Sequence, residues 1–252
     1  MIESPSGLPP AAPSIHAAPR RRARRSLVTY TLLALTVLVF LLQTLSSSLL
    51  GTDLPLAWGA KINALISQGE VWRLVTPLLL HASLLHVGFN LYALYVLGPQ
   101  AEALFGHWRF LAVYLVAGMG GILASFLMTA EASVGASSAI FGLVGALLVF
   151  FYRHRHALGE FGRRGLLNLL FVAGINLVLG LSPGIDNWGH LGGLVAGGCL
   201  ALVLGPDLRV ERVEVSGETI VNDRRAFRRT WPWALLLALA LLAAALFIRP
   251  SS

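Results

Sequence analysis

Cysteine is almost absent from this sequence. The single Cys199 lies within an apolar run of Ala, Gly and Leu, which excludes an intramolecular disulfide and any metal site built on cysteine thiolates. Charge is scarce as well: Asp, Glu, Lys and Arg make up 12% of the residues, against 56% hydrophobic. Soluble domains carry roughly a quarter charged residues, and the mean hydropathy here is +0.73. The chain therefore reads as an all-α polytopic membrane protein held together by packing within the lipid bilayer. No H-E-x-x-H frame occurs, and His81 and His86 are not the i, i+4 pair of a zinc protease helix. No metal, nucleotide or other cofactor is implied.

The charges that are present lie between long apolar blocks. A net charge of +7 would suit nucleic acid if it covered a soluble surface, but basic residues that separate apolar runs are topology signals instead. No nucleic-acid partner is expected. Residues 1–26 are rich in Pro, Ala and Ser and end in Arg20 to Arg25, a composition that predicts a disordered basic cytoplasmic tail. The apolar block that follows has the length of a membrane span and no clear cleavage site, so it reads as a retained first helix.

A span needs about 20 apolar residues, fewer where a helix opens into a cavity. Seven candidates result: 27–49, 84–99, 108–129, 137–152, 165–181, 188–205 and 231–248. The expected organisation is a six-span core over 27–205, a cytoplasmic linker over 206–230, and a seventh span with a short external tail over 231–252. The second, fourth and sixth spans are short and begin with polar groups: His86 and Asn90, Ser137 and Ser138, and His190. Lipid would not tolerate those groups, so they predict an internal water-filled cavity.

If seven spans alternate, only Lys61, Arg73 and Arg249 of the 19 Lys and Arg residues fall on the side opposite the rest. The N-terminus is then cytoplasmic, the C-terminus external, and the three short spans all begin at the external face. This brings His86, Asn90, Ser137 and His190 to one depth. The arginine- and alanine-rich composition points to a bacterial plasma membrane. The loop from Gly51 to Ser83 carries Trp58, Trp72 and Arg73, which suit the lipid interface. Small residues recur every four positions at Ser138, Gly142 and Ala146, and again at Gly189, Gly193, Gly197 and Ala201, a pattern that lets two helices approach closely.

A serine is a weak nucleophile unless a base takes its proton. His190 is the histidine at matching depth, so Ser137 and His190 are the candidate pair. A serine in a membrane helix is otherwise a structural residue, bonded to its own backbone or to a neighbour. His86 and Asn90 share a helix face and suit joint donation to a developing oxyanion; the alternative is a tie between helices. Asp186 stands four residues before His190, but it belongs to an external loop and is not assigned a catalytic role. Glu102 and Arg109 flank a cytoplasmic turn and are expected to pin its geometry.

These pieces resemble the rhomboid family of intramembrane serine proteases. The resemblance rests on Trp72-Arg73, on His81-Ala-Ser-Leu-Leu-His86-Val-Gly-Phe-Asn90, on Gly135-Ala136-Ser137-Ser138 followed by Ala-Ile-Phe141-Gly142, and on Gly189-His190-Leu191-Gly192-Gly193. It covers about residues 27–205 and implies a six-helix bundle to which the seventh helix is added. By resemblance Ser137 is the nucleophile, His190 the base, His86 and Asn90 oxyanion donors, and Phe141 the aromatic that stacks on the catalytic histidine, with Gly135 supporting the motif. The substrates implied are single-span membrane proteins, cut near the external end of the transmembrane segment. The sequence departs from the family's Gly-x-Ser-Gly at Ser138, which leaves a second hydroxyl beside the first. A catalytically inactive relative that captures membrane helices is the alternative reading, and its usual mark would be loss of Ser137 or His190. A transporter is disfavoured because no internal repeat is present.

Overall fold

The computed structural model describes residues 26–212 and 219–248. The chain folds as a bundle of helices: α1 (Leu27–Leu50), short α2 (Leu54–Gly59) and α3 (Asn63–Ser67), then α4 (Leu84–Phe105), α5 (His107–Met128), α6 (Ser137–Arg153), α7 (Arg155–Leu179), α8 (Asn187–Leu204) and α9 (Phe227–Phe247). Two 3-10 turns, Val71–Leu74 and Thr76–Leu79, lie between α3 and α4. Each of the seven expected spans corresponds to one long helix. Five of these, α1, α5, α7, α8 and α9, are long and apolar enough to cross a membrane. Helix α6 is shorter, at 17 residues, and α4 carries the polar His86 and Asn90.

Leucines cover the outer side of α1, where Leu38, Leu41, Leu45 and Leu49 are exposed, while Thr29, Thr36 and Gln43 lie on its buried stripe. Such an outer surface is stable only against lipid, and the chain is an integral membrane protein. The opposite stripe of α1 docks on α4, where Gly98 leaves room for the Thr29 side chain. The amides of Val28 and Thr29 would lack partners at a helix start, and Glu102 of α4 accepts from both, at 3.0 and 2.8 Å. Its carboxylate also bonds Thr29 Oγ1 and His107. The expectation that Glu102 pins a turn is met, with α1 as what it holds.

The core is built by α5, α6 and α8, and α5 is mostly buried. A Cβ on Gly193 or Gly197 would lie well inside the envelope of the Ser138 or Gly142 carbonyl oxygen. The two small-residue ridges therefore do bring α6 and α8 into backbone contact, and the bulk excluded at this seam is filled around it by Phe110, Ile122, Leu143 and Leu147. Helices α1, α7 and α9 lie outside and expose most of their surface.

Three boundaries differ from the apolar blocks. Helix α4 continues through Pro99 to Phe105, and α7 starts at Arg155, with a break at Gly159 where φ is 52°. The segment after α8 contains a hairpin, β1 (Leu208–Arg212) antiparallel to β2 (Thr219–Asp223), with Leu208 opposite Asp223. Arg109 of α5 bonds Asp223 at 2.7 Å and the Arg225 carbonyl, so what its guanidinium holds is the hairpin and the chain after it, not the turn it was expected to pin. Arg225 donates to the Leu202 and Val203 carbonyls at 2.6 and 3.0 Å, satisfying the open end of α8. The expected disordered tail over 1–26 and the external tail after α9 lie, apart from Ser26, outside the described residues.

Candidate active site

Three helix starts and one loop converge at the end of the bundle where α4, α6 and α8 begin. Ser83 caps α4 by accepting the His86 amide at 3.2 Å. Asp186 caps α8 by accepting the Gly189 amide at 2.9 Å, and Asn and Asp are the residues that best satisfy such orphan amides. Helix α6 starts directly at Ser137, after Ala136. The loop between α5 and α6 arrives through Gly135, whose φ of 128° is a region that side chains disfavour. The Gly135 amide donates to the Pro77 carbonyl at 2.9 Å.

Gly135 is also where the site is tightest. A Cβ there would fall 2.7 Å from His86 Nε2 and 3.6 Å from Ser137 Oγ, so the His86 imidazole, the Gly135 backbone and the Ser137 hydroxyl line one small space. His190 stands on α8 with its ring stacked flat on Phe141, centroids 4.4 Å apart and planes 8° from parallel. Phe141 lies one turn below Ser137 on α6, so the stack brings His190 alongside the serine helix. No hydrogen bond joins Ser137 Oγ to the His190 ring among the described residues. His190 Nδ1 is buried without a partner.

Asn90 is buried on α4 and donates its amide to the His86 carbonyl at 3.0 Å. Ser138 turns away from Ser137: its Oγ lies 3.0 Å from where a Cβ on Gly121 would be and 2.9 Å from one on Gly189. The second hydroxyl thus sits in the seam between α5, α6 and α8. Among the described residues no group of three His, Cys, Asp or Glu side chains could hold a metal.

Two residues, His81 and Lys61, were given no role at this site from the sequence. His81 packs its ring against His86, 5.1 Å between centroids, and its Nε2 accepts from the Ala136 amide at 3.4 Å. Burial, reinforced by the neighbouring His86, pushes His81 down to about 4, so its ring is neutral at physiological pH and free to accept at Nε2. Lys61 is fully buried beneath the loop that leads to Gly135. Neither contact carries a local signal, because each joins segments tens of residues apart.

A bundle of apolar helices, with a serine, two histidines and an asparagine carried near three helix starts at one end, defines a polytopic membrane protein. The family model of the Rhomboid domain matches residues 68–207, and the chain belongs to the rhomboid family. It is 43% identical over 178 residues to the Rhomboid protease GluP of Bacillus subtilis (strain 168), covering 70% of this chain and 34% of that protein. RHOMBOID-like protein 6, mitochondrial, of Arabidopsis thaliana is 38% identical over 140 residues, 55% of this chain and 45% of the relative. RHOMBOID-like protein 5 of the same plant is 37% identical over 161 residues, 62% of this chain and 52% of the relative. The chain thus spans about a third to a half of the length of these relatives.

Proposed function

We propose that this protein is an intramembrane serine endopeptidase that cuts single-span membrane proteins near the external end of their transmembrane segment. The observation that carries the reading is the convergence of Ser137, Gly135 and His86 in one space, with His190 held beside it by the stack on Phe141. His190 Nε2 takes the proton of Ser137 Oγ as that oxygen attacks the scissile carbonyl. His86, the Asn90 amide and the open backbone N–H groups at the start of α6 hold the oxyanion, a role worth about 3 kcal/mol per donor in soluble enzymes. His190 then passes the proton to the leaving amine, and water arriving through the polar mouth releases the acyl group. The Ser137 and His190 groups approach to hydrogen-bonding distance when substrate fills the site, as such pairs do in many enzymes. The membrane orientation is N-terminus cytoplasmic and C-terminus external, in a bacterial plasma membrane.

The missing Ser137–His190 hydrogen bond is the one observation that favours a second reading, capture of membrane helices without cleavage. A fluorophosphonate probe separates the two. Labelling of the wild-type protein that is lost in Ser137→Ala and in His190→Ala, together with loss of cleavage of a single-span substrate, supports the protease. Unlabelled, correctly inserted wild-type protein supports the binding role.

A further inference from the structure

Lys61 is the only lysine of the chain; every other residue in the Lys and Arg total of 19 is an arginine. It is also fully buried, in the segment between α2 and α3. Its ammonium donates to the Thr129 and Glu131 carbonyls, both at 2.8 Å. Its backbone pairs with Ser133 in both directions, at 3.0 and 3.2 Å. Two residues on, Asn63 Nδ2 donates to the Phe126 and Thr129 carbonyls at 3.1 and 3.0 Å. Together these contacts close the carbonyl end of α5 and seize the loop that leads to Gly135 and Ser137. The Lys61 segment is fixed in turn, because Arg73 donates to the Ala57 and Ala60 carbonyls at 3.1 and 2.8 Å and bonds Glu70 at 2.6 Å.

A buried ammonium is costly unless its hydrogen bonds are good. Here the charge faces carbonyls at the negative end of a helix dipole, and what it grips is the short run of chain before the serine. We propose that Lys61 is a positioning residue for the segment Gly135 to Ser137. Its charge sets the height of the loop after α5, and thereby the distance between the Gly135 backbone, His86 and the Ser137 hydroxyl. This rests on the protease reading above and adds to it a residue that touches no substrate.

The same burial lowers the Lys61 amine to about 8, with the Asp186 and Glu131 carboxylates opposing the shift. Those two acids, one capping α8 and one on the gripped loop, are the charges that act on it. Above pH 8 the amine becomes neutral and its grip on the carbonyls loses the charge-assisted part. Global stability does not fall with it: for a lysine whose folded value is depressed, the neutral form is the one the fold favours, so stability from this group rises between about 8 and the ordinary lysine value. A positioning role therefore predicts that kcat falls across pH 8 with no matching loss of stability from this group.

The test uses the full-length protein with a single-span substrate, measured from pH 6 to 9.5, in wild type, Lys61→Met and Lys61→Arg. We expect Lys61→Met to lower kcat about 10- to 100-fold at pH 7 with KM within about twofold, and to lose the alkaline fall. Arginine stays charged throughout this range, so the ratio of kcat at pH 9.5 to that at pH 7 should be near one in Lys61→Arg and well below one in wild type. Amide exchange read independently of activity should rise over residues 129–136 in Lys61→Met and stay unchanged in α1 and α9. Wild-type kcat per folded molecule in Lys61→Met, or a wild-type kcat that is flat to pH 9.5, overturns the proposal. Unchanged exchange at Gly135 and Ala136 overturns it even if the wild-type protein cleaves nothing, an outcome that would separately remove the protease reading.

Discussion

Replacing Gly135 by alanine probes the tightest point of the site. The new Cβ would stand 2.7 Å from His86 Nε2 and 2.8 Å from its Cε1, against about 3.5 Å for an ordinary contact between such atoms. The ring must retreat by roughly 0.8 Å, and it can, because it is the far end of a side chain. The backbone cannot adapt as easily: φ is 128° at this position, and holding a non-glycine residue there costs on the order of 1–3 kcal/mol. Rate should suffer more than stability, since a displacement near 1 Å in a catalytic constellation costs about 10²-fold. Gly88 provides the control: it lies two residues from His86 on the same helix, and a Cβ there meets nothing within 4 Å. Gly88→Ala should raise helix stability by about 0.5–1 kcal/mol and leave turnover unchanged. The assay is single-turnover cleavage of a single-span substrate alongside the melting temperature of the same samples. A Gly135→Ala protein with wild-type turnover, or a Gly88→Ala protein equally impaired, would refute the reasoning.

Asn90→Ala should lower kcat about 10- to 100-fold with little change in KM if the amide serves the oxyanion; a lower melting temperature with normal turnover would leave it only the His86 carbonyl bond. Ser138→Gly should keep its activity, because that hydroxyl lies in the helix seam, and loss of fluorophosphonate labelling in a folded Ser138→Gly protein would count against Ser137. Glu102→Ala should free the first amides of α1 and cost about 1–3 kcal/mol; Glu102→Gln, which can still accept, should cost less, and a Glu102→Ala protein that melts with the wild type would show that the cap contributes nothing.

The sequence by itself determined the class of protein and put forward the candidate site residues. Long apolar runs can be satisfied in lipid only as helices, because every backbone amide must find its partner locally, so the spans were legible as blocks of composition. Ser137 and His190 were legible as candidates because polar groups interrupt those blocks at matching ends. The spacing of Gly189, Gly193 and Gly197 announced a close helix seam, since a period of four writes one face of a helix in the chain itself. Tertiary structure decided which hydroxyl faces His86 and which faces Gly121, because adjacent residues on a helix point about 100° apart and only the neighbours tell which side is the site. It alone disclosed the hairpin after α8, held by Arg109 from more than a hundred residues away, and the reach of α4 through Pro99. It alone joined Lys61 to Thr129 and Glu131, and His81 to Ala136. Contacts of that kind leave no periodic trace, for they depend on where loops land once the helices have packed.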